Sequence, residues 1–397
     1  MQLSADQRER DQRLAAALLD LNNDPRIIAA NRKAILNFLQ ASQARGVGPA
    51  RQIIYIYKLK KLSSILAKDF RKTTPKDMEK VIANQEATRL SEWTKHTFKA
   101  VVKRFYQWLR GLEDEYPPEV KWIKLRMKNE GRILPETLLT EEEVKRLAEA
   151  AESPRDRAFV LTLYESGCRV GELTSLRIKH VQFDKYGAVL IVNGKTGMRR
   201  VRTIASSPAL AAWMSNHPDH DNPNAPLWTL IGNTNHGQEM DRDTAAALIR
   251  RLAIKIGLKK RVNPHMFRHS RASHLANVMT EAQMKTYLGW VAGSDMASVY
   301  VHLSGRDVDK ALLQLNGIAQ EGEKTEPVLK VLICPRCNQK SDPTSRFCQK
   351  CGLPLELKAG LEIEEARSKA DDIMSKLLED QEVKDFLEEK LRQIKLP

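Results

Sequence analysis

The sequence predicts a mainly α-helical protein that carries one small antiparallel β-sheet. Apolar residues recur with helical spacing through residues 1–112, and this spacing returns from about residue 244 onward. Between these regions, two short β-branched stretches at 188–192 and 199–204 flank the turn-rich segment NGKTGM. We therefore expect an all-helical N-terminal unit followed by an α+β unit with a single hairpin.

Residues 1–112 are predicted to form a helical domain. Asp24 and Pro25 are typical of a helix start, with an N-cap residue followed by proline at the first helical position. Further helices are expected at about 49–68, 75–85 and 91–112. The last helix is expected to bury an apolar stripe made of Trp93, Phe98, Val101, Phe105, Trp108 and Leu109. It also carries basic residues that either solvate an exposed face or contact a polyanion: Lys95, Lys99, Lys103 and Arg104.

The chain changes character after this domain. Residues 113–139 lose the periodicity and contain three prolines, which predicts an interdomain linker. Thr140 and Glu143 then match a capping box that opens a helix, so a second domain is predicted over residues 140–318. Its hairpin places Lys195 at or beside the tip. Helices are expected in it after Pro154, ending near Gly167, and at about 244–256, 264–278, 282–288 and 294–300.

Charge and composition narrow the class of protein. The chain has 397 residues, enough for two or three domains, and a formal net charge of +15. Its last 37 residues hold eleven acidic against seven basic side chains, so the excess positive charge lies in the rest of the chain. Such charge predicts a polyanionic partner, and the lack of a lipidation motif favours nucleic acid over a membrane surface. With no signal peptide or long apolar run in the sequence, we expect a cytoplasmic location.

His265 and Arg268 are the first candidates for chemistry. They are three residues apart in NPHMFRHSRASHLA and therefore project from one side of a helix. A guanidinium can grip two phosphate oxygens while an imidazole donates or accepts a proton. Alone, the pair is equally compatible with an ordinary basic helix surface.

Two further segments carry candidates. In SGCRVGELTSL, Arg169 follows a helix-ending glycine, and Glu172 can hold its guanidinium in place, although an ordinary ion pair within a helix is the alternative. In YLGWVAGSDMASVYVHLS, Trp290 and Tyr300 lie at the two ends of a short helical region. A phenol can attack phosphorus and form a covalent phosphotyrosine, whereas most tyrosines are half-buried with a satisfied hydroxyl.

In this order, Arg169 with Glu172, Lys195 in a hairpin, His265 and Arg268, Trp290 and Tyr300, the chain resembles the tyrosine recombinase/integrase family. The resemblance covers roughly residues 140–315 and is closest in the last motif to archaeal members. Trp290 stands where most members have histidine, and an indole donates a hydrogen bond but cannot shuttle a proton. The interval from Trp290 to Tyr300 is one residue longer than in common bacterial members.

The resemblance implies a function and its residues. It implies that residues 1–112 are a core-binding domain on double-stranded DNA, and that the chain assembles as a homo-oligomer, a tetramer on paired sites. Tyr300 would form a 3′-phosphotyrosyl bond without ATP or a metal at the phosphate. The two arginines would clamp the phosphate, Lys195 would protonate the leaving 5′-oxygen, and His265 would assist proton transfer. A non-catalytic DNA-binding regulator and a type IB topoisomerase-like enzyme are the alternatives.

Four cysteines predict a metal site. Cys334-x-x-Cys337 and Cys348-x-x-Cys351 form two thiolate pairs separated by ten residues, which is typical of a structural zinc ribbon, here residues 330–356. A disulfide pair is disfavoured by the expected cytoplasmic location. The remaining cysteine, Cys168, is expected to be a small packing residue. Residues 360–397 are predicted to form an amphipathic helix that packs on the chain or on a partner through Ile373, Leu377, Leu378, Phe386, Leu387, Leu391 and Ile394.

Overall fold

The structure is a computed structural model that describes residues 5–125, 135–194, 196–232, 236–303 and 327–393. The chain divides into two compact units, Met1–Leu134 and Pro135–Pro397. Helices dominate both units, and the sheets are small and antiparallel, so the predicted fold class is confirmed. Within the described ranges, no helix is long and apolar enough to cross a membrane.

The first unit is all-helical. Its core is aromatic: the Phe38 ring meets the Phe105 ring edge to face at 5.4 Å, and Phe70 packs on Phe105 at 5.0 Å. Asn31 is fully buried and binds the Ser63 side chain and the backbone of the following loop, which fixes the approach of two helices. The helices are α1 (Ala5–Asn23), α2 (Ala29–Ala44), α3 (Pro49–Leu66), α4 (Pro75–Glu86), α5 (Glu92–Leu109) and α6 (Pro118–Lys121).

Two expectations for α5 are wrong. Trp93 is 65% exposed, because it lies in the first turn, outside the stripe that faces the core. The lysines do not form one free basic face either. Lys95 and Lys99 form ion pairs with Glu86, and Lys103 is buried and donates to the carbonyl oxygen of Ile123.

The predicted linker begins later than residue 113. Helix α6 lies inside it, and the side chains of Val120 and Ile123 are buried in the core of the first unit. Their apolar spacing is too short to be distinguished from a loop in the sequence. Residues 126–134, in the middle of the predicted linker, lie outside the described residues.

The second unit places a three-stranded sheet among helices. The strand order is β1-β2-β3, and Gly194 pairs with Gly197 at the hairpin turn. The predicted hairpin is thus confirmed, but β1 and α10 were not predicted; only the first residue of β1 is buried, so its alternation is too short to see. The elements are α7 (Glu141–Glu149), α8 (Pro154–Ser166), α9 (Val170–Thr174), β1 (Val181–Asp184), β2 (Gly187–Gly194), β3 (Gly197–Thr203), α10 (Ser207–Ser215), α11 (Arg242–Lys255), α12 (Pro264–Ala276), α13 (Glu281–Leu288) and α14 (Met296–Leu303).

A buried carboxylate ties the sheet to the helices. Glu165, near the end of α8, accepts hydrogen bonds from the backbone N–H groups of Ile204, Ala205 and Ser206. These groups lie in the turn between β3 and α10, where buried backbone N–H groups need partners outside regular secondary structure. The end of β3 is therefore fixed against α8, whose next turn leads to Arg169.

The C-terminal part contains the cysteine segment and two helices. Strands β4 (Leu332–Ile333) and β5 (Lys340–Ser341) pair in the cysteine segment. The single predicted terminal helix is wrong: α15 (Leu357–Leu377) and α16 (Gln381–Gln393) are separate, because Asp380 accepts from the backbone of Glu382 and caps the second helix. Large apolar side chains on both helices are exposed, among them Ile373, Leu377 and Phe386. Residues 304–326, which include the end of the predicted 140–318 domain, and residues 394–397 lie outside the described residues.

Candidate active site

Helix α12 carries the central arginine of the site. Asn263 caps the helix by accepting from the N–H of Met266, and Pro264 occupies the first helical position. Arg268 is only 5% exposed, and its two terminal nitrogens donate to the carbonyl oxygens of Gly167 (2.8 Å) and Leu288 (2.7 Å). The guanidinium is therefore fixed between the ends of α8 and α13.

Burial lowers the pKa of Arg268 to about 10, and the positive charge of Arg169 acts in the same direction. At neutral pH the side chain is still protonated. The packing of two guanidinium groups in one place is unfavourable unless an anion is present, either a carboxylate or a ligand.

Arg169 and Glu172 are brought together as predicted. The Arg169 guanidinium donates to Glu172 at 2.8 Å, and the Arg169 backbone N–H donates to the other carboxylate oxygen at 3.0 Å. Burial of Glu172 opposes its charge, but hydrogen bonds from Arg199 and from Arg169 outweigh it and lower the pKa of Glu172. Glu172 is therefore ionised, and Arg169, whose side chain keeps 32% exposure, remains open to a ligand.

Tyr300 and Trp290 lie against each other. Their rings are stacked at 5.6 Å with an interplanar angle of 4°, and the Arg268 guanidinium lies 5.5 Å from the centre of the Trp290 ring. Tyr300 is 1% exposed, and burial raises its pKa to about 12, partly offset by Arg268. The phenol is therefore protonated at neutral pH and needs a proton acceptor to act as a nucleophile.

A candidate acceptor lies next to Tyr300, and it is His269 rather than the predicted His265. The Tyr300 hydroxyl forms a short hydrogen bond with Nδ1 of His269, one helical turn after His265. The ring centroids of the two histidines are 6.3 Å apart. Burial, His265 and Arg268 lower the pKa of His269, so its imidazole is neutral at pH 7 and can accept the phenol proton.

The sequence contained a signal for this residue. His265 and His269 are four positions apart, which places them on the same helix face as Arg268. The His-x-x-Arg spacing singles out His265 and gives no role to His269, which directly follows Arg268. The His265 side chain is exposed at the surface of the site, and partial desolvation of its ring, together with the positive charges of Arg268 and Arg169, lowers its pKa.

Lys195 lies outside the described residues, but both of its neighbours are placed. A Cβ atom on Gly194 would lie 2.4 Å from a Glu172 carboxylate oxygen, so the backbone passes directly beside this side chain. The Thr196 hydroxyl is 3.5 Å from the carbonyl oxygen of Gly289, the residue before Trp290. Gly194 and Thr196 thus lie beside Glu172 and Gly289, respectively.

One buried arginine of the site was not predicted. Arg199 on β3 donates to Glu172 at 2.7 Å and to the carbonyl oxygen of Tyr287 at 3.0 Å. In the sequence it is one of three arginines in RRVR, and nothing there distinguishes a buried arginine from an exposed one.

The four ribbon cysteines also converge. Their sulfur atoms all lie within 4.8 Å of one another, with Cys334–Cys351 and Cys337–Cys348 each at 3.5 Å, and no cysteine in the chain is in a disulfide. A tetrahedral zinc site with Zn–S bonds of about 2.3 Å separates its sulfurs by about 3.8 Å, close to these distances. Cys168 is separate from this group and fully buried, and burial raises the pKa of its thiol, as suits a packing residue.

Residues 137–306 match the phage integrase family. The chain is 29% identical to tyrosine recombinase XerA of Pyrococcus horikoshii over 189 residues. This alignment covers 48% of this chain and 64% of that protein. Over 209 residues it is 29% identical to tyrosine recombinase XerC of Xanthomonas campestris pv. campestris, covering 51% of this chain and 62% of that one.

Residues 137–306 are thus similar in sequence to the phage integrase family and to tyrosine recombinases. The chain spans less than two thirds of the length of these relatives. Two solved structures share its fold: XerH site-specific recombinase bound to a palindromic difH substrate (TM-score 0.55, 17% identity, 80% of this chain and 98% of that chain) and a lambda integrase dimer bound to a COC′ core site (TM-score 0.55, 17% identity, 69% and 78%).

Proposed function

We propose that this protein is a site-specific DNA recombinase that cuts and rejoins strands through a covalent phosphotyrosine at Tyr300. One observation carries the proposal: the hydroxyl of a buried tyrosine is hydrogen-bonded to a neutral histidine, while its ring stacks on Trp290 beside Arg268. A tyrosine with only a structural role has no need of a base and a fixed cation next to it.

The chemistry assigns a role to each group. The Tyr300 oxygen attacks phosphorus and its proton passes to His269, while the 5′-oxygen of the DNA leaves with a proton from Lys195. Arg169 and Arg268 neutralise the non-bridging oxygens as charge develops on them, and Glu172 orients Arg169. The ester bond to Tyr300 conserves the energy of the broken bond, so a second 5′-hydroxyl can reverse the step without ATP.

The role of His265 changes under this proposal. Since His269 holds the Tyr300 hydroxyl, His265 is better placed to contact the phosphate, exposed and near Arg169 and Arg268. Because Tyr300 is almost fully buried, its hydroxyl must first become accessible to DNA. Movement of α14, which carries Tyr300, is therefore part of the proposed cycle.

The partners follow from the same proposal. The substrate would be double-stranded DNA, which suits a chain with a net charge of +15. We propose a cytoplasmic location on the same ground. Strand exchange between two duplexes needs more than one active site, so we propose a homo-oligomer on paired sites, consistent with the dimer and the Holliday-junction tetramer described for lambda integrase. Residues 1–112 would form the core-binding part of each subunit.

The ribbon cysteines would hold a zinc ion. Four sulfur ligands within 4.8 Å of one another would fill the coordination of a zinc ion and leave no position for a substrate, so the ion would be structural. It would stabilise residues 330–356 and take no part in the phosphate chemistry.

The test uses a library of nicked duplexes of random sequence. The nick lets the short 5′-leaving strand diffuse away, so a cleaving enzyme remains attached to its DNA after denaturation, and the attached DNA can be sequenced. Wild-type protein should yield a denaturant-resistant complex enriched in one sequence, and Tyr300→Phe should bind that sequence with similar affinity and yield no complex. Tight binding without any covalent complex from wild-type protein would instead identify a DNA-binding regulator.

A further inference from the structure

Arg199 is buried where three segments of the site meet. It belongs to β3, pairs with Val192 across the hairpin, and its side chain is 9% exposed. Its Nε donates to the carbonyl oxygen of Tyr287, and its Nη2 donates to Glu172. One guanidinium therefore links the hairpin, helix α9 and the end of α13.

Each of these segments carries a different candidate residue. The hairpin carries Lys195, helix α9 is preceded by Arg169, and the end of α13 leads through Gly289 into Trp290. A residue that fixes the spacing of all three segments controls the geometry of the site without touching a substrate.

Two glycines make room for this side chain. A Cβ atom on Gly289 would lie 2.7 Å from Nη1 of Arg199, and Gly289 also has a φ of +65°, which side chains rarely adopt. A Cβ atom on Gly194 would lie 3.3 Å from the same nitrogen. The backbone on both sides thus approaches Arg199 as closely as glycine permits.

The Nη1 nitrogen of Arg199 lies in an environment that does not stabilise the fold. This nitrogen is buried and has no hydrogen-bond partner among the described residues. Burying an unsatisfied donor of a charged group destabilises a protein, whereas an apolar side chain of similar length would fill the space without that cost. The position of Arg199 is therefore better explained by its charge than by packing.

The charge acts through Glu172. A carboxylate between two guanidinium groups leaves a net charge of +1, whereas Arg169 and Glu172 alone would be neutral. With Arg199 present, Glu172 can orient Arg169 without cancelling the attraction of the site for a phosphate.

We propose that Arg199 is a positioning residue for strand cleavage: it holds Glu172, and through it Arg169, in the geometry that receives the phosphate. This inference rests on the proposed recombinase function. It adds a residue of the second hairpin strand to the machinery, one that contacts neither the DNA nor Tyr300.

The test compares Arg199→Met and Arg199→Lys with Arg202→Met. Arg202 is a matched control, because it lies on the same strand and forms an ion pair with Asp184, but 40% of its side chain is exposed, away from Glu172. The probe is the nicked duplex recovered from the library, and the readouts are its affinity and the rate of covalent complex formation. Arg199→Met should bind as wild type does but react about 100-fold more slowly, and Arg202→Met should match wild type.

A second substrate separates positioning from general damage. Replacing one non-bridging oxygen of the scissile phosphate by a methyl group removes its negative charge, so a correctly held Arg169 matters less. On this DNA the deficit of Arg199→Met should shrink by about tenfold or more. An equal deficit on both substrates would show that the variant only loosens the fold, and the inference would be wrong.

Arg199→Lys covers the case in which Arg199→Met does not fold. Lysine keeps the charge beside Glu172 but cannot also reach the Tyr287 carbonyl in the same geometry. The rate of Arg199→Lys should therefore lie between those of wild type and Arg199→Met. If Arg199→Met is insoluble, the expected result is a rate of Arg199→Lys below that of wild type. Wild-type rates for either Arg199 variant would overturn the inference and leave the recombinase proposal intact. A wild-type protein that never forms the covalent complex would overturn both.

Discussion

Replacing Arg268 with lysine tests whether one side chain both stabilises the fold and binds the phosphate. The guanidinium donates to the carbonyl oxygens of Gly167 and Leu288 at once, while a lysine ammonium on a single stem cannot reach both. The substitution keeps the positive charge, so any loss reports the geometry of the donors.

The expected magnitudes follow from these contacts. One buried carbonyl left without a donor costs about 1–3 kcal/mol. A loss of about 2 kcal/mol lowers the melting temperature of a domain of roughly 200 residues by about 4–8 °C. Losing one well-placed donor to the phosphate should also slow covalent complex formation by about 100- to 1,000-fold.

Arg169→Lys is the matched comparison. Arg169 is about one third exposed, and lysine keeps a positive charge beside the buried carboxylate of Glu172, so this variant should melt within about 1 °C of wild type. Its reaction rate should nevertheless fall as far as that of Arg268→Lys. Calorimetry and the nicked-duplex assay measure the two effects separately. If Arg268→Lys melts as wild type does, the two carbonyl contacts do not hold the site together.

Three other outcomes are expected. Purified protein should contain about one zinc per chain, and Cys348→Ser should lose the metal and the folded ribbon while the catalytic domain still cleaves; metal analysis and limited proteolysis measure this. The pKa of His269 is lowered below its usual value near 6.5, so its neutral form persists down to that pH. The cleavage rate should therefore be flat from about pH 8 to 6.5 and fall only below about pH 6.5. A fall that begins at about pH 7.5 would exclude His269 as the acceptor. DNA affinity should decline steeply with salt, with a log-log slope of about −0.9 for each phosphate neutralised, and a flat dependence between low and moderate salt would contradict an electrostatic interface.

The sequence predicted the parts of the site that are defined by local spacing. Arg169 and Glu172 lie three residues apart around a helix start, and the structure pairs them directly. The hairpin was visible because β2 and β3 have β-branched residues on both sides of a short turn. These features depend on residues that are close together in the chain, so a single sequence is enough to predict them.

The parts that depend on long-range packing were missed. The contact of His269 with Tyr300 joins residues 31 positions apart, and that of Arg199 with Tyr287 spans 88 positions. Burial of an arginine depends on what the fold places around it, so Arg199 could not be separated from the exposed basic residues beside it. Trp93 shows the opposite error. Its helical spacing predicted burial, but it lies in the first turn of α5, where its side chain is exposed.

Identification of the modified residue tests the central claim most directly. Digesting the trapped covalent complex with trypsin should yield a peptide, residues 286–306, that contains both Tyr287 and Tyr300. The Tyr287 hydroxyl lies within hydrogen-bond distance of the carbonyl oxygens of Glu165 and Arg202, which serve no catalytic purpose, so it is an internal control. Fragmentation by mass spectrometry should place the nucleotide remnant on Tyr300. A remnant on Tyr287, or on any other residue, would contradict the account.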